Sequence, residues 1–148
     1  MSINISVIMV SDEQILAARE DPSALDDLLN RTIPFHGADC CDLLEVWRDL
    51  DTLITGGRPE LGIRRGDIEF EEGMSDPAHA VFSEGAKRFA AQLDAVAEAM
   101  EAEPEKSQRG LTAAKVNDLL PYFKHLHAFV QGAVGKGSGL VFCTWEGL

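Results

Sequence analysis

LLEVWRDLDTLITGG, residues 43–57, mixes seven apolar with four charged residues, holds one of the chain's two tryptophans and stops on Thr-Gly-Gly. Leu43, Val46, Trp47, Leu50, Leu53 and Ile54 recur at spacings of three and four, so the stretch is predicted to be a helix with that row turned inward. Asp42, Glu45, Arg48, Asp49 and Asp51 take the other sides, and Gly56 with Gly57 stops the helix as a glycine C-cap. A tryptophan inside an apolar stripe is explained by burial. The polar side remains: Arg48, Asp51 and Thr55 stand three and four apart and form one candidate binding face.

Upstream, ISVIMV (5–10) is short and rich in β-branched residues, and Ser11 with Gln14 three positions on forms a capping box. A strand and then a helix ending near Glu20 are predicted. Asp21-Pro22 restarts a second helix with Leu25, Leu28 and Leu29 on one face. IPFHGADC (33–40) breaks the pattern as a loop.

Downstream, residues 56–79 are glycine-rich and acidic. Ile68 and Phe70 alternate with charges as a half-exposed strand would, and HAVF (79–82) reads as another. Ser83 is expected to cap a helix whose buried face runs through Ala86, Phe89, Ala90, Leu93, Ala97 and Met100. EAEPEKSQRG (101–110) has the composition of a surface connector. Pro121 is tolerable in a first turn, which places the start of the last helix near Asp118. Leu119, Tyr122, Phe123, Leu126, Phe129, Val130 and Ala133 face inward from it, and GKGSG turns into a terminal strand, LVFCTW (140–145). Few strands among several helices, without βαβ alternation, predict an α+β fold with helices around a small mixed or antiparallel sheet.

The 148 residues fit a single domain spanning 1–148, with 45% hydrophobic and 26% charged residues. No run of sequence is apolar enough to cross a bilayer. The N-terminus, MSINISVIMVSDEQ, lacks a basic region and a small-residue cleavage site, so a cytoplasmic location is expected. Cys40, Cys41 and Cys143 are odd in number and contain no CxxC, so they are expected to be reduced and buried.

Net charge is −12, with 16 acidic against 6 basic residues in 1–74 and 9 against 7 in 75–148. Such a surface repels phosphate backbones and anionic lipids, which argues against nucleic-acid and membrane partners and favours a basic protein partner. Solubility alone also accounts for acidity.

No chemical motif holds up. GAVGKGSG (132–139) fails as a phosphate loop, because GxxxxGK[ST] needs glycine where Val130 stands and Ser or Thr where Gly137 stands. His125 and His127 point about 200° apart on a helix and do not share one metal ion. His36 and His79 lie in predicted loops. Asp67, Glu69, Glu71, Glu72 and Asp76 cluster without the order of an EF-hand, so they read as a solvated acidic loop or a negative patch for a basic protein. There is no GxSxG and no GxGxxG after a strand. No catalytic residue, metal site or cofactor is therefore assigned.

The order of these features resembles a known family. An N-terminal strand, SDEQILAAREDPSALDDLLN, VWRDLDTLITGG, PELGIRRGDI, AVFSEGAKRFAAQLDAV and YFKHLHAFVQGAVGKG before a last strand are similar to the YfbM-like small bacterial proteins over nearly the whole chain. The most specific element is the tryptophan helix, met as Trp47, Leu50, Ile54, Thr55 and Gly56. Family members often carry histidines where this chain has Arg48 and Asp51, and a double glycine where it has Gly66 alone. The resemblance implies an α+β fold and an unassigned activity, and it carries over no catalytic residue.

Two functional expectations follow. One is a noncatalytic acidic interaction module, inhibitor- or immunity-like. The alternative is a small-molecule cleft at the end of the tryptophan helix, with Trp47 stacking, Asp51 and Thr55 hydrogen-bonding and His36 exchanging protons, and with Arg48 alongside. The oligomeric state is not indicated by sequence.

Overall fold

In the computed structural model, residues 3–21, 23–25, 27, 40–56, 67–70 and 78–146 are described. The elements run β1 (Ile3–Val10), α1 (Asp12–Glu20), β2 (Cys40–Leu44), α2 (Trp47–Thr55), β3 (Ile68–Phe70), β4 (Ala78–Val81), α3 (Ser83–Ala102), a 3-10 turn (Lys106–Gln108), α4 (Ala113–Gly135) and β5 (Gly139–Glu146). The strands form one five-stranded sheet in the order β2-β1-β5-β4-β3, antiparallel throughout. The fold is α+β.

β5 is the central strand and β1 pairs with it along its whole length, from Ile3 opposite Glu146 to Val10 opposite Gly139. Alternation along β1 then divides the core. Ile5 and Val7 face a cluster built with α2, α3 and α4, whereas Ile8 and Val10 face one built with Ile15 and Ala18 of α1 and with Leu25. We call these the back and the front of the sheet. Because helices cover both, the second half of β1, Val7–Val10, is apolar on both sides and reads as a continuous run, whereas Asn4 and Ser6 put polar groups on the front of its first half.

α1 follows its local signals. Ser11 Oγ accepts from Gln14 N at 3.1 Å, and Gln14 Oε1 accepts from Ser11 N at 2.9 Å. Asp21 then accepts from Ser23 N at 3.1 Å, and residues 23–25 are helical. Leu28, Leu29 and most of 33–40 lie outside the described residues.

Three boundaries differ from the sequence reading. The tryptophan helix begins at Trp47, because Cys40–Leu44 pairs with β1 instead. Leu43 is buried on the back of the sheet, so the helical spacing to Val46 and Trp47 had a second explanation. Ser83 is the first residue of α3 and not its cap: its N and Oγ donate to Asp12 Oδ1 and Oδ2, each at 2.7 Å. The last helix starts at Ala113, where Thr112 Oγ1 accepts from Lys115 N at 3.1 Å, and it carries Pro121 in its interior on an exposed position.

Two glycines are required by packing. Gly56 ends α2 at φ +70, a conformation that side chains resist. Gly139 opens β5 where a Cβ would strike the Val81 carbonyl and the Ile15 side chain. No described helix is long and apolar enough to cross a membrane.

Candidate functional site

α2 carries four of the residues singled out above. Trp47 is only 7% exposed and belongs to the back core with Leu50, Leu53 and Ile54. Arg48 is exposed and lays its guanidinium 4.9 Å from the Trp47 ring centroid, a cation–π contact at the core's margin. Thr55 is 3% exposed, and its hydroxyl donates to the Asp51 carbonyl at 2.8 Å. Arg48, Asp51 and Thr55 therefore share a stripe but not a surface, since the helix end turns Thr55 inward while Arg48 stays in solvent.

That helix end is also covered. A Cβ at Gly56 would lie 2.8 Å from Arg109 Nη1, so the Arg109 side chain rests where the α2 carbonyls end. A cation there is favourably placed against the helix dipole. On the outer side, Asp49 pairs with Lys115 of α4 at 3.3 Å.

The acidic segment has a structural member. Asp67 Oδ2 accepts from Phe82 N at 3.0 Å, so together with Asp12 it satisfies donors at the start of α3. Glu69 is exposed on β3, opposite His79, which stands in β4 and not in the loop expected of it, because residues 79–81 pair with β5. His36, Glu71 and Glu72 lie outside the described residues.

On the front, α1 presents Glu13, Leu16, Ala17, Arg19 and Glu20 to solvent, and Asp21 and Asp27 beyond it are also exposed. Leu16 is 41% exposed. Glu13 and Glu20 flank it three residues before and four after, two turns or about 10.5 Å apart along the axis. The crease beneath α1, lined by Val10, Ile15, Leu25, Phe70 and others, is apolar and leaves no room for a water molecule.

A polar row crosses the front under strands β2, β1 and β5. Ser6 Oγ donates to Asp42 Oδ1 at 2.6 Å, Cys40 Sγ to the same oxygen at 3.6 Å, and Cys143 Sγ to the Ser6 carbonyl at 3.2 Å. All three cysteines are free and buried. Burial pushes the Cys40 thiol up to about 12, with Asp42 adding to it, and does the same to Cys41. Cys143 is pushed up by burial too. These are protonated thiols and poor nucleophiles. Nor do they pair: Cys40 and Cys41 point to opposite faces, and Cys143 lies two strand spacings of about 4.8 Å from β2, beyond disulfide reach.

Among the described residues no three His, Cys, Asp or Glu side chains gather as metal ligands. A polar trio joins α3 to α4: His127 Nε2 stands 2.6 Å from Asp94 Oδ1, and the Gln131 amide nitrogen lies 3.4 Å from that oxygen and 3.3 Å from His127 Nε2. Phe123 contacts the imidazole with centroids 5.6 Å apart. Sequence reading missed this trio because Asp94 is remote in the chain. Only the four-residue spacing of His127 and Gln131 gave any signal. No protein-family model, curated protein or solved structure matches this chain.

Proposed function

We propose that the chain is a noncatalytic interaction module, inhibitor- or immunity-like, which covers a basic protein with the acidic front surface of α1 and the residues after it. The observation that carries this reading is the exposed Leu16 set between Glu13 and Glu20, with Asp21 and Asp27 exposed nearby and Arg19 as the single cation of α1. An apolar contact inside an acidic rim is the form of a surface that selects a cationic partner: charge steers the encounter, and the leucine is desolvated on contact. With a net charge of −12, neither nucleic acid nor an anionic membrane is proposed as partner.

Membership of the YfbM-like family and a cytoplasmic setting are part of the same proposal. The burial of Trp47, Leu50, Ile54 and Thr55 and the left-handed Gly56 give the tryptophan motif a packing reason. Three protonated, unpaired thiols suit a reducing compartment. The small-molecule cleft draws no support from α2, where Trp47 and Thr55 are turned inward and Arg109 lies over the end.

The test is affinity capture from the native host, with the wild type and a Glu13→Lys/Glu20→Lys double variant run side by side across a salt series. A basic protein retained at low salt, weakened by salt and lost by the double variant is expected. Retention indifferent to both salt and charge reversal would refute the electrostatic reading.

A further inference from the structure

The geometry points to a divalent transition-metal site of the zinc type on the outer surface of the α3–α4 pair, formed by Asp94, His127 and Gln131. His127 and Gln131 are one turn apart on α4 and share the face that meets Asp94 of α3. The three polar atoms form a triangle with sides of 2.6, 3.3 and 3.4 Å. A tetrahedral ion with bonds of about 2.1 Å holds its ligands about 3.4 Å apart, so two sides already fit. The third opens by a small shift of Asp94, which is an exposed side chain.

Two of the three atoms have the ligand chemistry as they stand, and the third position gains it by an amide flip. Neutral imidazole and carboxylate are preferred ligands of such ions, and an amide oxygen completes the set once the Gln131 amide is turned by 180°, a rotation that interchanges atoms of nearly equal size. Without an ion, the Asp94 carboxylate takes the N–H groups of both neighbours, and this holds the ligands together in advance. With one, the neutral ring carries its proton on Nδ1, so that His127 Nε2, the Asp94 carboxylate and the turned Gln131 Oε1 each supply an electron pair. His127 is 19% exposed on its side chain and Asp94 54%, leaving the fourth position to water. Phe123 supports one side of the ring.

The site lies on the opposite side of the sheet from Leu16 and is independent of the interaction reading. Its test is a zinc titration by calorimetry at about pH 7.5, repeated with cobalt(II) for its visible absorption, on the full chain and on Asp94→Asn, His127→Gln and His125→Gln variants. One ion per chain is expected, with at least about tenfold weaker binding in Asp94→Asn and His127→Gln, none lost in His125→Gln, and weakening as pH falls to about 5.5. The proposal is overturned by the absence of saturable uptake in the wild type. It is equally overturned by uptake that the Asp94 and His127 variants leave unchanged, as binding to the cysteines would give.

Discussion

Behind the sheet, helices of 9, 20 and 23 residues bury Trp47, Phe89, Phe123, Phe129 and a set of leucines, with Phe89 meeting Phe142 edge to face at 5.7 Å. In front of it, α1 is nine residues long and commits only Ile15 and Ala18 to the core. The same strand, β1, serves both sides. What differs, among the described residues, is how much helix surface each side sets against it, and therefore where stability resides and where a surface is left for other work. On that view the back secures the fold, and the front carries the acidic, leucine-bearing surface proposed to act.

Core truncations give the largest expected contrast. Leu50→Ala or Leu126→Ala on the back should cost about 3–4 kcal/mol, and Ile15→Ala on the front nearer 2, because a nine-residue helix that buries two side chains can shift to close the space left behind. Urea unfolding checks this, and equal costs would break the contrast.

Alkali comes next and probes both faces, since Cys40 faces front and Cys41 back. Both thiols rise from 9.0 to about 12 on folding. The folded chain then keeps protons that the unfolded chain loses, so their contribution is complete below pH 9 and is lost as pH climbs toward 12. At a pH of about 10.5 each thiol accounts for about 2 kcal/mol. A Cys40→Ala/Cys41→Ala chain should show a flatter alkaline profile in thermal melts, and an unchanged slope would contradict the burial account.

Smaller effects follow at the junction between faces. Asp12→Ala removes both bonds to Ser83 and should cost about 1–2 kcal/mol, and Asp67→Ala about 1, as lost caps do. Hydrogen exchange should then rise at the start of α3 before the rest of that helix. Thr144 bears a buried hydroxyl without a hydrogen-bond partner among the described residues, so Thr144→Val should hold stability or raise it by about 1 kcal/mol. A loss of stability there would mean the hydroxyl is satisfied after all.

Local signals made much of the fold legible in advance. The Ser11–Gln14 box and Gly56 were readable because their partners are at most four residues away. Leu43 misled because a strand and a helix bury it equally well, and pairing with β1 is a contact over long range. Pro121 misled because its penalty was weighed alone, whereas the Thr112 cap and the apolar face beyond it sustain the helix through it. Candidate sites were less legible still. Asp12 bonds to Ser83 across 71 positions and Asp94 to His127 across 33, and no spacing rule reaches that far. Residue type did not reveal that Thr55 is sealed while Leu16 is open, since burial is set by the sheet and not by the residue.

The most direct test of the front-surface account is a hydrogen-exchange footprint of the chain with the basic protein it captures. The account predicts slowed exchange in Asp12–Glu20, with α2 and α4 unchanged and the footprint abolished by Glu13→Lys/Glu20→Lys. Protection centred on Trp47–Thr55 or on α4, with α1 exchanging as in the free chain, would contradict it.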